Sequence, residues 1–248
     1  MLAKSAVKYI QSLGQKKFRE KEGVFVAEGP KIIGELLSIP RLRPVRIYAL
    51  KQWYSENPAL EISLAHAERV VISESELEHI SGLITPNKVL AVFEIPFFEP
   101  AGFENRISLA LDGIQDPGNL GTIVRIADWF GVGQIVCSPD CADPFNPKTV
   151  QSTMGSIGRV NLLTRDLNLF IDAQPGLPLY AATLGGSSLY ELEPLSSALV
   201  VIGNESRGIT PELLSRIKTR ITIPRLGSAE SLNAAVATGI ILSHLVKG

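Results

Sequence analysis

The sequence has few of the residues that build metal or disulfide sites. It contains two cysteines, Cys137 and Cys141, and three histidines among 248 residues. Two cysteines four positions apart, with no second pair and no histidine nearby, do not match the four-ligand spacing of a structural zinc site. They are also too few for a disulfide scaffold. We therefore expect no metal, and a reducing, cytoplasmic setting.

Long apolar runs and a strong net charge are also absent. No apolar run approaches the roughly 20 residues that cross a membrane, and the amino terminus lacks the apolar core of a signal peptide, so no membrane partner is expected. The net charge of −1 gives no overall basic field for nucleic acid. Residues 1–51 nevertheless carry eleven Lys or Arg against four Glu (+7), and residues 52–105 carry two against nine (−7). A basic face, or two solvated helical faces of opposite sign, would each produce this asymmetry.

A glycine fingerprint for dinucleotides is missing as well. Gly118 and Gly121 follow a predicted strand, but no third glycine stands at the spacing of a G-x-G-x-x-G motif. No acidic residue is clearly placed about 20 positions further on to bind a ribose. A dinucleotide-dependent oxidoreductase, which would use the same strand-loop-helix architecture, is therefore disfavoured.

Predicted strands alternate with helices along the whole chain, which is typical of an α/β fold. Two prolines and a glycine within residues 96–102 interrupt this alternation and indicate a linker. The sequence therefore predicts a small α/β domain over residues 1–96, a linker over 97–105 and a second domain over 106–248. A helix is expected over 58–67, and strands over 24–26, 46–50, 70–72, 89–95, 107–111, 134–138, 179–184, 198–202 and 220–223.

A basic segment near the amino terminus is the strongest local candidate for contact with RNA phosphates. Lysine and arginine side chains supply most of the affinity for nucleic acid by neutralising phosphates. A solvated helix end would show the same composition. The candidate side chains are Lys16, Lys17, Arg19 and Lys21.

The first of three polar joints between a strand and a helix spans residues 110–132. It contains Asn119 and Gly121, and then Arg125, which a helical projection places on the side opposite the apolar residues. Arg125 is therefore expected to face away from the core. A solvated arginine paired with Asp128 is the plain structural alternative.

Two further joints follow in the second half. In residues 200–214 a buried strand enters a turn that contains Gly203, Glu205 and Gly208. In residues 221–246 a strand ends at Ile223-Pro224, and Ser231-Leu232-Asn233 opens a helix rich in alanine and glycine. Each stretch alone is explained by turn geometry or helix capping. Open α/β sheets, however, bind ligands at the carboxyl ends of their strands, so three such joints together predict a site.

These motifs, in this order and spacing, resemble those of the SpoU (TrmH-like) branch of the SPOUT RNA methyltransferases, from residue 107 to the carboxyl end. The first half, with its KKFREKEGVFVAEG stretch, is similar to the L30e-like substrate-binding domain that precedes many such catalytic domains. The resemblance implies a SPOUT α/β domain with a carboxyl-terminal trefoil knot, a homodimer and bound S-adenosylmethionine. It also implies methyl transfer to a ribose 2′-hydroxyl of structured RNA, either tRNA or rRNA.

The resemblance also implies roles for individual residues. The loops that form the cofactor pocket contain Leu184, Gly203, Ile223 and Leu232, and the catalytic and site-shaping positions are Asn119, Arg125, Glu205, Ser231 and Asn233. A guanidinium is a poor base because its pKa exceeds 12. We therefore expect Arg125 to bind the phosphate beside the target ribose and to orient the hydroxyl, while Asn119 and Glu205 hold the geometry.

One segment departs from the family pattern. Gln151 stands where many members carry an arginine, which puts the RNA contact of residues 144–160 in question; Lys148 and Arg159 are candidates to replace it. A catalytically inactive RNA-binding scaffold with the same fold is the alternative function. The sequence identifies neither the RNA nor the nucleotide.

Overall fold

The computed structural model describes residues 2–61 and 67–246 and divides the chain into two compact units. Unit 1 comprises Met1–Phe97 together with Asp143–Gly158, and unit 2 comprises Phe98–Ala142 together with Arg159–Gly248. No helix or strand lies between Glu94 and Ile107, where the sequence predicts a linker. None of the helices in the described residues is both long and apolar enough to span a membrane.

Unit 1 is built on a sheet with the strand order β1-β4-β2-β3, in which β2 and β3 are parallel and the other pairs are antiparallel. All five residues of β1 are buried: residues 24–27 are apolar, and the carboxylate of the fifth, Glu28, accepts a hydrogen bond from the backbone N–H of Gly82 at 2.9 Å. Ser73 and Glu76 form the capping box that their spacing predicts. The elements are α1 (Lys4–Ser12), α2 (Lys16–Glu22), β1 (Val24–Glu28), α3 (Pro30–Leu37), β2 (Pro44–Leu50), α4 (Lys51–Glu56), β3 (Glu68–Ile72), α5 (Glu74–Ile80) and β4 (Val89–Glu94).

The helix expected over residues 58–67 is described only in part. Pro58–Glu61 forms a 3-10 helix, and residues 62–66 lie outside the described part of the chain. The strands expected in this half are all present, with ends that differ by a few residues from the sequence-based bounds.

A segment from the second half of the sequence packs into unit 1. The ring centroids of Phe145 and Phe25 lie 5.2 Å apart, and Asp143 forms an ion pair with Arg19. The segment contains α7 (Pro147–Thr153), whose packing partner is β1. The predicted second domain covers residues 106–248, and within that range Asp143–Gly158 belongs to the compact unit 1, where its aromatic and acidic side chains have their partners.

Arg19, predicted to contact RNA phosphates, lies in the interior of unit 1. It is 1% exposed, donates a 2.7 Å hydrogen bond to the carbonyl of Leu13 and pairs with Asp143. A guanidinium with these partners is not available to a phosphate in solvent. The basic segment therefore separates into one structural arginine and three exposed lysines, Lys16, Lys17 and Lys21.

Unit 2 is built on a sheet with the strand order β10-β8-β9-β5-β6-β7, and every pair of neighbouring strands is parallel. The sequence did not predict β7, in which only the two adjacent residues Leu162 and Leu163 are apolar. The elements are β5 (Ile107–Asp112), α6 (Pro117–Trp129), β6 (Gln134–Cys137), β7 (Asn161–Thr164), α8 (Leu167–Asp172), β8 (Leu179–Ser188), β9 (Ala198–Gly203), α9 (Pro211–Ser215), β10 (Thr219–Thr222) and α10 (Ala234–Leu245).

The order of these strands places the polar joints side by side. In the register of β5 and β9, Asp112 is opposite Gly203, so the loops that follow both strands leave the same edge of the sheet. Helix α6, which follows β5, packs against α10, and a hydrogen bond between Asn233 and Asn119 shows that the starts of these two helices meet. The mixed α/β architecture with a parallel second sheet confirms the predicted fold class.

The Arg19–Asp143 pair should contribute strongly to the stability of unit 1. In Asp143→Asn the turn-forming oxygen of the side chain is kept, but the buried guanidinium loses its counter-charge. Leaving one member of a buried pair without its partner typically costs about 3 kcal/mol. Urea unfolding can be followed through Trp53, which is 1% exposed, in a Trp129→Phe background that leaves it the only tryptophan.

Glu68→Gln is the matched control, because Glu68 pairs with Arg46 on the surface of the same unit, with side chains 56% and 34% exposed. Its cost is expected to stay below about 1 kcal/mol. If both variants lower the free energy of unfolding equally, burial does not make the Arg19–Asp143 pair more stabilising than an exposed pair.

Candidate active site

Unit 2 contains a cavity of about 600 Å³ at the carboxyl edge of its sheet. It is bounded by residues 182–184 within β8, by the segments that follow β9 and β10, and by one side of α10. The four residues expected in a cofactor pocket, Leu184, Gly203, Ile223 and Leu232, all line it. Two of the three predicted joints, residues 200–214 and 221–246, thus border one space together with β8, whereas residues 110–132 do not line it.

The turn after β9 is shaped by Gly203 and Asn204. A Cβ on Gly203 would lie 2.3 Å from the carbonyl carbon of Gly208, so no larger residue fits where the turn folds back on the strand. The Asn204 side-chain oxygen accepts hydrogen bonds from the backbone N–H groups of Ser206 and Arg207, at 2.9 and 3.1 Å. Its Nδ2 donates to the carbonyl of Gly113 at 2.8 Å, which ties this turn to the loop after β5.

A chain of side-chain hydrogen bonds joins three of the predicted catalytic residues. Asn233 Nδ2 donates to Asn119 Oδ1 at 2.8 Å, and Asn119 Nδ2 donates to Glu205 Oε1. The donor and acceptor of the Asn119 amide are therefore both engaged, which fixes the orientation of its plane. Of the three, Glu205 also lines the cavity.

Helix capping explains why the two asparagines are held so firmly. Asn233 is the N-cap of α10, and its Oδ1 accepts from the backbone N–H groups of Ala235 and Val236. Asn119 lies in the first turn of α6, where its own backbone N–H donates to the N-cap Asp116 at 2.8 Å. The capping interactions at the starts of α6 and α10 thus also position the hydrogen-bonded side chains of the site.

Ser231 and Arg125 occupy different surroundings. Ser231 lines the cavity and is exposed. Arg125 is exposed on α6 and is absent from the cavity lining. The alternative in which Asp128 pairs with Arg125 is not observed: Asp128 accepts instead from Arg159 Nε at 2.8 Å. That bond also engages Arg159, one of the two candidates to replace the arginine that many family members carry at position 151.

The three exposed lysines of α2 are solvated and only weakly engaged. Lys16 lies 3.6 Å from Glu20, Lys21 lies 3.8 Å from Glu22, and the Lys17 ammonium is 4.8 Å from the ring centroid of Phe18. Exposed pairs of this kind contribute little stability. These lysines therefore remain free to exchange their partners for phosphates.

Sequence reasoning missed one residue that holds the site together. Asp112, at the end of β5, is buried, and its Oδ2 accepts from the backbone N–H of Thr210 at 2.7 Å. Asn204, by contrast, belongs to the predicted joint of residues 200–214, whose acid and amide are candidates for a site. The sequence contains one signal for Asp112, which ends a mostly apolar strand directly before Gly113. An acid in a strand of this kind is expected to be buried, and a buried carboxylate requires a hydrogen-bond donor.

The two cysteines form a thiol pair beside this region. Cys141 Sγ donates to the carbonyl of Leu111 at 3.2 Å. A hydrogen bond from Cys137 lowers the pKa of the Cys141 thiol to about 7, against the opposing effect of burial. The same interaction, together with burial, raises the pKa of Cys137. No cluster of three or more candidate metal ligands occurs within residues 2–61 and 67–246.

The cavity suits a small organic cofactor. Its volume falls within the range of about 300–1,000 Å³ that is typical of ligand pockets, and apolar side chains and glycine backbone form much of its lining. The close packing at Gly203 leaves backbone groups at the wall, where they can bind a ligand directly. These features fit the pocket that was expected for S-adenosylmethionine.

Comparison with known families agrees with this geometry. The SpoU rRNA methylase family matches residues 106–243, and the MRM3-like substrate-binding domain matches residues 4–91. The 23S rRNA (guanosine(2553)-2′-O)-methyltransferase RlmP of Bacillus subtilis is 32% identical over 96% of this chain and 95% of its own length.

Solved structures show the same similarity over nearly the whole chain. A TrmH-family RNA methyltransferase structure from Porphyromonas gingivalis has 39% identity and a TM-score of 0.84, covering 98% of this chain and 97% of that one. An AdoMet-bound rRNA methyltransferase from Sinorhizobium meliloti has 31% identity and a TM-score of 0.86, covering 98% and 94%. The prediction from the three motifs is confirmed, and the chain belongs to the SpoU rRNA methylase family.

Proposed function

We propose that this protein transfers a methyl group from S-adenosylmethionine to a ribose 2′-hydroxyl of ribosomal RNA. The observation that carries the proposal is the chain of hydrogen bonds from Asn233 through Asn119 to Glu205, with Glu205 on the wall of the cavity. The rRNA substrate of the Bacillus subtilis relative, which matches along nearly its entire length, favours rRNA over tRNA.

The reaction forms a bond between the ribose oxygen and the methyl carbon and breaks the bond from that carbon to sulfur. Bound S-adenosylmethionine supplies the electrophilic methyl group and a neutral thioether leaving group. The protein must align the hydroxyl and provide a destination for its proton. Alignment alone can contribute on the order of 7 kcal/mol to lowering the barrier.

The residues divide these tasks. Leu184, Gly203, Ile223 and Leu232 hold the cofactor, largely through backbone and apolar contacts. Asn119, Glu205 and Asn233 keep the site rigid, and the exposed Ser231 is placed to contact a ligand in the cavity. Arg125 binds the phosphate beside the target ribose and orients the hydroxyl, whose proton is shared with that phosphate as the oxygen–methyl bond forms and is then lost to water. A guanidinium stays protonated at neutral pH and has no lone pair that could accept the proton.

Substrate binding by unit 1 uses the exposed lysines of α2. Lys16, Lys17 and Lys21 are solvated and can neutralise phosphates, whereas the buried Arg19 cannot. RNA helices hide much of their base information in a deep, narrow groove. We therefore infer that this unit recognises the shape of a folded RNA rather than a sequence.

A homodimer would explain the position of Arg125. This arginine stands one turn before Trp129 on α6, and Trp129 is 84% exposed although it is a large aromatic residue. Val236, on the adjoining helix α10, is 51% exposed. We infer that a second copy covers this apolar face in a two-fold arrangement, with Arg125 of each subunit against the cavity of its partner. The carboxyl-terminal trefoil knot and the cytoplasmic location remain predictions.

Methyl transfer can be tested with labelled S-adenosylmethionine and total RNA from cells that lack this protein. We expect label in a single 2′-O-methylated nucleotide of rRNA, mapped by nuclease digestion and mass spectrometry. Label in tRNA would show that the substrate is tRNA and not rRNA, while the proposed reaction would still hold. Cofactor binding without any transfer would favour the inactive scaffold. If the protein neither binds the cofactor nor transfers a methyl group, the proposed enzymatic activity is refuted.

Arg125→Ala is expected to lower turnover on the order of 100-fold or more, because a contact to the reacting phosphate acts mainly in the transition state. Affinity for S-adenosylmethionine, measured by calorimetry, should change less than about threefold, since Arg125 does not line the cavity. Arg125→Lys keeps the charge but not the planar fork, and should recover only part of the rate. Near-normal turnover of the alanine variant would remove Arg125 from the mechanism.

A shared site can be detected by mixing two inactive variants. Arg125→Ala and Glu205→Ala subunits carry different tags, and heterodimers are isolated by two affinity steps. If Arg125 acts across the interface, one of the two sites in each heterodimer is intact and roughly half of the activity returns. Heterodimers without activity would place both residues in the same subunit's site.

A further inference from the structure

Two arginines stand at the cavity wall in addition to the predicted site residues. Arg207 follows Glu205 by two positions in the turn after β9, and Arg225 follows β10. They are the only cationic side chains among the described residues that line the cavity. Arg225 donates to the carbonyl of Ala229 at 3.3 Å. Arg207 is 63% exposed at the side chain, so its guanidinium is open to solvent and to a ligand outside the cavity.

The position of the Arg207 guanidinium is set by the loops after β5 and β6. Gly113 has a left-handed φ of +69°, and a Cβ at this residue would lie 3.2 Å from Arg207 Nη2 and 3.1 Å from Asp140 Oδ2. The guanidinium and the carboxylate therefore both lie over the Gly113 backbone. Ser138 supports the carboxylate by donating to Asp140, and it accepts from the Gly113 N–H at 2.9 Å.

The ion pair itself is weak enough to be exchanged. Arg207 Nη2 and Asp140 Oδ2 are 3.5 Å apart, and the Asp140 side chain is 52% exposed. Exposed pairs of this kind contribute about 1 kcal/mol or less, because water and salt screen them. A phosphate offers the guanidinium two parallel hydrogen bonds and can replace such a partner. Asp140 thus holds Arg207 in place without blocking it.

We propose that Arg207 is a phosphate-binding residue that positions the substrate RNA strand at the mouth of the cavity, and that Asp140 orients it in the absence of RNA. The inference rests on the proposed function, since it concerns how the RNA reaches the same site. The carboxylate of the cofactor is the other anion that an arginine at this wall can bind. The exposure of the guanidinium and its place over Gly113, beyond the turn, favour the RNA phosphate.

Arg207→Gln tests the role directly, because it removes the charge from an exposed side chain. RNA affinity is measured with rRNA from cells lacking the protein and with S-adenosylhomocysteine present, over a series of salt concentrations. We expect Kd for RNA and KM for RNA to rise roughly tenfold. The slope of log Kd against log salt concentration should fall by about 0.7 to 0.9, as for the loss of one phosphate contact. Affinity for S-adenosylmethionine should stay within twofold.

Arg165→Gln is the matched control. Arg165 is an exposed arginine of unit 2 that donates to the carbonyl of Thr164, just after the edge strand β7, and it does not line the cavity. The two variants change the net charge equally, so an effect of overall charge would appear in both. Asp140→Asn removes the competitor of the phosphate and should leave RNA affinity equal to or tighter than that of the wild type.

A purely structural role of the ion pair predicts different results. Arg207→Gln and Asp140→Asn would then lower the melting temperature and the cofactor affinity alike, and the charge-exchanged variant Arg207→Asp/Asp140→Arg would restore both. An unchanged salt slope in Arg207→Gln, or a loss of cofactor affinity in place of RNA affinity, would overturn the proposal. Absence of methyl transfer by the wild type would refute the proposed function. The dependence of Kd for RNA on salt concentration would still test whether Arg207 binds a phosphate.

Discussion

The site depends on one side-chain amide, that of Asn119. Its Nδ2 donates to Glu205, 86 positions along the chain, and its Oδ1 accepts from Asn233, 114 positions along. Both bonds can exist only if the loops after β5 and β9 and the start of α10 meet at one edge of the sheet. The parallel register that places Asp112 opposite Gly203 provides this meeting. The geometry of the candidate site is therefore a direct consequence of strand order.

Much of the second unit could be predicted because its local signals agree with its fold. The runs that become β5 and β9 are mostly apolar, are buried along nearly their whole length and end in polar turns, which is the pattern of a buried parallel strand. Asn233 and Asp116 are good helix caps, and each does cap its helix. Residues such as Gly203 and Ile223, placed by their motifs, consequently line the cavity.

Features that depend on distant partners could not be predicted. The burial of Arg19 requires Asp143, 124 positions away, and nothing in a basic segment separates the one arginine that turns inward from its exposed neighbours. The grouping of Asp143–Gly158 with unit 1 has the same cause. Likewise, the Arg207–Asp140 pair joins two loops whose closeness follows from the sheet and from the shape of Gly113, not from spacing in the sequence.

The distribution of charge suits the transfer of a methyl group from a sulfonium to RNA. Glu205, half-buried on the cavity wall, is held by a neutral amide and not by an arginine, so its negative charge is not cancelled on the cofactor side. The guanidinium of Arg125 instead lies outside the cavity, and that of Arg207, at the rim of the cavity wall, is open to solvent, where an RNA backbone would approach. An ion pair between Glu205 and either arginine would neutralise both regions at once. The amides of Asn119 and Asn233 fix the acid without adding charge, and this keeps the cofactor side and the RNA side electrostatically distinct.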